Sequence, residues 1–511
     1  MKYLLKYSLL SALLVGGASC TNLDEEIKDS YTKKFDPANQ GVGLTEGGPS
    51  DGLNGAFNTL LNGTANHGSY FSAQEISSDE AVITQKGGDW NDGGIWLIMH
   101  KHQFTPTVGG INGAWNDSYG GIFQCNDLLG QTSTSVAGKA QLRVLRAYYY
   151  WRLLDMFGRV KIVTVKGVDA PQATRIEVYN FVESELKAAL PDLTSGKAEY
   201  GRVSQGAVNA LLARLYVNAK VYKGLAAHDP ADLNNAIAAA DAVINSGVYS
   251  LDPDYSKVFK WNNTGNPEHI FVVPFDAKTA QGMNFAQMTL HYPSQLTYKL
   301  AQQPWNGYST MEEFYNSYDA ADKRKAANFI VGPQFSLGTT TPILDLAFDK
   351  GDEDGAPVNY TPKINMLAPN GSRQAGARLG KFAFKTGQTP NMDNDFPLLR
   401  YGEVLLNKAE ALARKNGFGD GTAKTLVDQI RSRAGLGSIG TLSEGAMLAE
   451  RGRELFQESL RRTDLIRFGA WGNAWWEKGT HPADKFILFP IPSEQIAAAT
   501  GEKLTQNDDY K

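Results

Sequence analysis

A helical period kept in two blocks of the chain and lost between them is the feature that most constrains its fold. In the first block Trp115, Tyr119, Ile122, Phe123 and Asn126 recur at i, i+4, i+7 spacing, and Leu142, Leu145, Tyr149, Leu153 and Met156 repeat the pattern before a stop at Gly158. Apolar residues three and four apart make one stripe on a helix, and that stripe must be buried against another element. Further helices fit PSDGLNGAFNTLLNG, opened by the capping signal Pro49-Ser50-Asp51, and RIEVYNFVESELKAAL, which ends at Pro191. SQGAVNALLARLYVNAKVY, capped by Ser204, and LNNAIAAADAVINSG, stopped by Gly247, complete the block. Alanines at 207, 210 and 213 and at 236, 239 and 240 permit the last two helices to approach closely, as in an antiparallel hairpin. The pair looks like a tetratricopeptide unit, without the full repeat signature.

From Tyr255 to about Pro397 the period fails; Pro, Gly, Asn and aromatic residues dominate, with short extended runs such as HIFVVPF and KFAFK. It returns at LLRYGEVLLNKAEALARKNG, TAKTLVDQIRSRAGLG and SEGAMLAERGRELFQESLRRTDLIRFG. The fold class expected is mainly α: a scaffold of tetratricopeptide-like helical hairpins carrying a loop-rich irregular region where recognition can sit.

The first twenty residues, MKYLLKYSLLSALLVGGASC, give a basic start, an apolar run and small residues before Cys20. This is an export signal over residues 1–19; its apolar run is too short for a permanent span of ~20 residues. Small residues directly before a cysteine match a bacterial lipoprotein signal, so Cys20 is expected to carry lipid and to anchor the chain to a membrane. Residues 20–48 read as a polar tether, and the folded part divides into regions 49–320 and 321–511. After cleavage Cys125 is the one remaining internal thiol, so the fold rests on packing, not on disulfides. A formal charge of −4 with no basic run argues against a nucleic-acid partner.

Within this frame GGDWNDGGIW, Gly87 to Trp96, sets two large rings into a loop made of Gly, Asp and Asn. Either the loop folds back onto a core, or the rings face a ligand; aromatics on loops held by a rigid scaffold make good platforms for partly apolar ligands. Asp79, Glu80, Asp89 and Asp92 nearby raise glycoside hydrolysis, which uses two carboxylates beside sugar platforms.

Other motifs carry less. GPSDG, Gly48 to Gly52, matches the serine-hydrolase elbow pattern but lacks the buried strand that must precede it. DKGDEDG, Asp349 to Gly355, puts Lys350 at the first ligand position of a calcium loop and reads as a solvated acidic loop. His100 and His102 have neither a paired Cys nor a helical His partner, so no metal and no cofactor is expected. Glu450 to Phe468, dense in Arg and carboxylates, reads as an ion-pair network on a helix face.

Taken in order, LRVLRAYYYWRLLDMFGRV, GRVSQGAVNALLARLYVNA, FPLLRYGEVLLNKAEALAR, IRSRAGL, ERGRELFQESLRRTDLIRFG, LFPIP and LTQNDDY resemble the SusD/RagB family of outer-membrane nutrient-binding lipoproteins. Lys161, Gly402 and Asp508-Asp509 depart from the family pattern at turns and packing positions. The resemblance implies a non-catalytic, surface-exposed lipoprotein that captures oligosaccharide and delivers it to a TonB-dependent SusC-type transporter. It also implies four tetratricopeptide-like helix pairs and an aromatic arc on loops of the irregular part. Trp90 or Trp96 then falls where one arc tryptophan lies, and Trp305 in QQPWNGYST offers the second. Asn91, Asp92 or Asn306 would bond sugar hydroxyls. Tyr70, Tyr298 and Tyr308 are further rings that either line the site or pack beneath it. A binder of peptide or another nutrient on the same fold, and a glycoside hydrolase, stay as alternatives.

Overall fold

A computed structural model of the chain describes residues 52–347 and 353–511, together with the backbone of a two-stranded ribbon at Tyr31–Lys33 and Leu44–Glu46. Cys20, most of the tether and Pro49–Asp51 lie outside the described residues.

Two short helices, α1 (Tyr70–Glu75) and α2 (Ile95–His100), precede the scaffold. The scaffold consists of α3 (Gly109–Leu129), α4 (Val136–Met156), α5 (Arg175–Ala189), α6 (Gln205–Val217) and α7 (Pro230–Asn245), followed after a long interval by α8 (Tyr401–Asn416) and α9 (Gly421–Arg433). Each packs on the next in chain order. The interval between α7 and α8 does not break the layer, because α8 returns to pack on both α6 and α7. The alanine stripes are buried at the α6–α7 contact, where a methyl group lets the two backbones come close.

Local chemistry sets the helix ends. Ser204 accepts the Ala207 amide and Thr174 forms a full capping box with Glu177, so orphan amides of the first turn are satisfied. Gly158 and Gly247 take left-handed conformations after α4 and α7, stopping both helices where the period ends. Against expectation, the described part of that stretch, 52–63, forms only one helical turn, Asn54–Asn58, and a 3₁₀ turn, Thr59–Leu61.

The C-terminal charged segment differs more. It is not one helix but two, α10 (Glu444–Leu455) and α11 (Arg461–Arg467), parted by a turn in which Gln457 and Ser459 are left-handed. Its ion pairs are present but lie in the core. Glu454 receives Arg324 at 3.1 Å, Arg400 at 2.8 Å and also Arg433, while Glu458 receives Arg400 at 2.7 Å and Lys381 at 2.5 Å. The side chains of all these groups are buried, so each charge depends on its partner for solvation. Lys381 opens KFAFK, which forms no strand; its ammonium also donates to the Phe456 carbonyl at 2.6 Å.

The remaining sheet is sparse: β1 (Ala81–Ile83) pairs antiparallel with β3 (Tyr308–Thr310), and β2 (His269–Pro274), the core of HIFVVPF, with β4 (Asp395–Arg400). One contiguous apolar core runs from Leu53 to Leu504, so scaffold and irregular region share it. Cys125 is buried there as a free thiol, and burial pushes its pKa up to about 12. No helix among the described residues is long and apolar enough to cross a membrane.

Candidate functional site

Pairing of β1 with β3 builds the site. With Ile83 opposite Tyr308, the loop that leaves β1 runs beside the segment that enters β3, and Trp90 meets Trp305 across 215 residues of sequence. The Trp90 indole N–H donates to the Trp305 carbonyl at 2.6 Å. Its ring lies flat on the backbone at Gly307, where an added Cβ would stand 2.3 Å from Trp90 Cζ2. Glycine is required there by space.

The loop itself is clamped. Lys86 and Asp89 close a tight turn with reciprocal backbone hydrogen bonds of 3.0 and 3.2 Å. Gln85 and Gly87 donate to Leu367 and Pro369, and Gly371 donates back to Gln85. Beyond the turn Trp90 (φ 56°) and Asp92 (φ 39°) adopt left-handed conformations, each costing of order 1–3 kcal/mol for a residue with a side chain. The Gly-rich composition of this loop therefore serves a backbone that its two non-glycine residues can follow only because the clamp holds them.

The rings expected at the site divide into two groups. Trp90 and Trp305 are half-buried and keep part of their faces at the surface, with Asn91 and Asp92 exposed beside them. Trp96 is a correction: it is 3% exposed, lies 5.7 Å from Trp90 between ring centroids, and gives its N–H to Asp92 Oδ2 at 2.5 Å. Tyr308 is fully buried, edge-on to Trp90 at 6.0 Å, with its hydroxyl 2.6 Å from that of Ser72. Tyr70 is buried beneath the Arg152 guanidinium, 3.8 Å from its ring centre. Asn306 is buried too: its carbonyl oxygen accepts from Arg378 at 2.9 Å and its amide donates to the Arg373 carbonyl at 3.0 Å. Trp96 and Tyr308 pack against Trp90 from within, and all four residues are buried and so cannot reach a ligand on the platform. Tyr298 is half-buried and packs edge-on against Phe384 at 5.5 Å.

One residue was not anticipated. His67, on the loop before α1, is exposed and stands edge-to-face against both indoles, 4.9 Å from Trp305 and 6.2 Å from Trp90. Its surroundings in the sequence, NGTANHGSY, are of the same loop-forming type as GGDWNDGG; that shared composition is the one signal that marks it.

The electrostatics are one-sided. Asp92 is at the surface, and Asp89 accepts the Tyr292 hydroxyl. The cations behind the loop are engaged: Arg373 pairs with Asp345 at 3.0 Å and Asp354 at 2.5 Å, and Arg378 holds Asn306 and two backbone carbonyls. Lys86 is buried with its ammonium on the Thr84 carbonyl, and burial drives its pKa down to about 7. Partial burial likewise holds the His67 imidazole below its ordinary range, against the pull of Asp92. A ligand here meets carboxylates and aromatic faces.

Two of the four carboxylates weighed for hydrolysis are taken up away from the platform. Asp79 is engaged by Arg461 at 2.6 and 2.7 Å, and Glu80 is buried beneath the surface. His100 bonds the Trp476 carbonyl and His102 bonds His481, each at 2.8 Å. Among the described residues no group of three or more His, Cys, Asp or Glu side chains is placed to hold a metal. Residues 348–352 of the acidic loop lie outside the described part; Glu353 and Asp354 face Arg373.

Comparison with known proteins gives a consistent picture. Residues 350–510 match the family described as "SusD family", and residues 57–217 match "Starch-binding associating with outer membrane". The chain is 26% identical over 443 residues to the starch-binding protein SusD of Bacteroides thetaiotaomicron, covering 76% of this chain and 77% of that one. Among solved structures it is similar to a SusD superfamily protein from Parabacteroides distasonis, with TM-score 0.72, 22% identity and coverage of 90% and 98%. It is also similar to surface glycan-binding protein A from Bacteroides thetaiotaomicron in complex with laminarihexaose, with TM-score 0.69, 23% identity and coverage of 88% and 97%. These structural likenesses carry the fold.

Proposed function

The chain belongs to the SusD/RagB family, and from that premise we propose that it is a surface glycan-binding lipoprotein that captures neutral oligosaccharide without cleaving it and passes it to a SusC-type TonB-dependent transporter. The observation that carries this reading is the meeting of Trp90 and Trp305, two half-exposed indoles brought together by strand pairing and held by the bond from the Trp90 N–H to the Trp305 backbone carbonyl. Indole faces stack on the C–H faces of pyranose rings, while Asn91 and Asp92 stand beside them to bond hydroxyls. Relatives whose names describe starch binding and a laminarihexaose complex support the ligand class. In this reading residues 1–19 are the export signal and Cys20 is the lipid-bearing end of the tether 20–48. Regions 49–320 and 321–511 then make up the folded body at the outer face of the outer membrane.

The test is calorimetric titration of a form truncated after Cys20 with laminarihexaose, maltohexaose and a panel of neutral and acidic polysaccharides. Removing one stacked indole uncovers on the order of 50–100 Å² of apolar contact, about 1–2.5 kcal/mol at ~25 cal/mol per Å². Trp305→Ala should therefore bind roughly five- to seventyfold more weakly while remaining folded. A Trp305→Ala protein that binds as tightly as the parent refutes the platform, and release of shorter sugars by the purified protein refutes the non-catalytic reading. In cells, Cys20→Ala should leave the membrane fraction and lose fatty-acid label; retention of both removes the anchor assignment.

A further inference from the structure

His67 completes the aromatic surface in a way that Trp90 cannot. Its ring occupies the angle between Trp305 and Trp90, inclined at 63° to the first and 72° to the second. The Trp90 N–H is committed to the Trp305 carbonyl, so this ring offers a ligand apolar surface only. The imidazole of His67 makes no hydrogen bond among the described residues and is exposed. A neutral imidazole has one donor and one acceptor nitrogen, the complement of adjacent hydroxyls on a sugar ring.

The charged groups around it are few. The loop after β1 contributes Asp92, which raises the affinity of His67 for a proton, and Asp89, which is occupied by the Tyr292 hydroxyl. Helix α3, packed under Gly68, contributes Asp117, which accepts the Ser69 hydroxyl. The segment entering β3 contributes no charge between Pro304 and Gly307.

We propose that His67 is a ligand-contacting residue of this surface, bonding sugar hydroxyls through its ring nitrogens, and that glycan capture is thereby proton-linked, weakening as the pH falls. The inference rests on the glycan-binding reading above. A sugar seated on Trp90 and Trp305 covers the imidazole and removes it further from water, which disfavours the charged ring. Protonation also replaces the acceptor nitrogen by a second donor, so one of the two bonds to the diol is lost. Binding must then release a proton wherever free His67 is charged, and affinity falls as the pH drops through the lowered range in which the free imidazole takes up its proton.

The experiment compares the parent, Trp305→Ala, His67→Ala and His67→Gln by calorimetry with laminarihexaose and maltohexaose at pH 5 and pH 7.5, using whichever sugar binds. We expect severalfold weaker binding by the parent at pH 5, about five- to tenfold weaker binding by His67→Ala at pH 7.5, and no pH dependence in His67→Gln. Tryptophan fluorescence of the free protein gives a second readout, because imidazolium in contact with an indole quenches it: the parent should dim between pH 7.5 and 5, and His67→Gln should not. If Trp305→Ala weakens binding but His67→Ala does not, or if the pH dependence survives in His67→Gln, this inference is overturned and the platform stands. If the parent binds neither sugar nor any of the neutral polysaccharides, the proposed function itself fails and takes this inference with it.

Discussion

Gly307→Ala tests the platform through its support and leaves every ring in place. Gly307 does not have a left-handed φ, so alanine brings no backbone penalty of its own. The whole effect comes from one methyl group, which would sit 2.3 Å from Trp90 Cζ2 and 2.6 Å from Cε2 and Cη2. Carbon atoms in contact prefer separations of about 3.5–4.0 Å, so the indole must retreat by more than ~1 Å. Starting from 2.6 Å, its hydrogen bond to the Trp305 carbonyl reaches the limit of useful geometry after such a shift. The half-exposed ring can swing outward, which keeps the cost to the fold near the low end of the ~1–3 kcal/mol usual for overpacking. Binding should suffer more, because the two indoles no longer share one surface: about 1–2 kcal/mol, or five- to thirtyfold in affinity. Calorimetry with the sugar that the parent binds measures this loss, and near-ultraviolet circular dichroism reports the displaced ring. A Gly307→Ala protein with parental affinity and an unchanged Trp90 signal would show that the contact between Gly307 and Trp90 does not organise the site.

Three further outcomes follow from the same geometry. Trp96→Ala should cost about 3–5 kcal/mol of stability in urea denaturation, as for a buried ring, whereas Trp305→Ala should cost far less; a fully stable Trp96→Ala protein that has lost only binding would return Trp96 to the ligand surface. Glu75 and Glu80 are fully buried and accept the Ser459 and Gln457 amides at 2.7 and 3.3 Å, and burial pushes Glu75 up to about 7 from an unfolded value of 4.5. A raised folded-state pKa means that the native protein holds the extra proton, so this contribution to stability is complete below pH 4.5 and lost as the pH rises through about 7. Glu75→Gln, which cannot ionise, should show a smaller fall in urea midpoint than the parent between pH 5 and 8, and an identical slope in both proteins would refute the assignment. Because the surface presents carboxylates and engaged cations, affinity at neutral pH should change less than about twofold between roughly 20 and 300 mM salt, and an oligogalacturonate should not bind; a steep salt dependence measured by the same titration would point to a charged ligand.

The scaffold was legible because its signals are local. Apolar spacing, the Ser204 cap and the stops at Gly158 and Gly247 each act within one helical turn, and the alanine stripes at 207–213 and 236–240 state in sequence that two helices will touch. The turn at 456–460 was not legible, for the opposite reason. Glu444 to Phe468 keeps a helical pattern, but two buried carboxylates, Glu75 at the end of α1 and Glu80 just after it, take the Ser459 and Gln457 amides, and Arg400 spans Glu454 and Glu458 from β4. Partners 54 to 384 residues away override the local preference. The same holds for the charges: an ion-pair network was readable from composition, its burial was not, since Arg324, Arg400 and Arg433 come from three separate segments.

At the site the division is finer. A loop of Gly, Asp and Asn carrying two tryptophans states that rings will be placed by a backbone with unusual conformations, and the left-handed Trp90, Asp92, Gly93 and Gly94 bear out that much. Which ring faces outward is decided elsewhere. The register of β1 on β3 sets Trp90 over Gly307, and the short helix that begins at Ile95 turns Trp96 inward, where Asp92 satisfies its N–H. Tyr308 and Asn306 follow from the same register: on a segment entering a buried strand, neither side chain has a way to the surface left open by Trp90 above and Arg378 below. His67 belongs to a third segment that no periodicity connects to the other two, and only packing of α3 under Gly68 delivers it to the indoles. The composition of a loop thus tells that a surface will be built, while the residues with room to touch a ligand are chosen by long-range contacts. For this reason substitutions at Gly307 and His67 should report on the site as sharply as those of the tryptophans themselves.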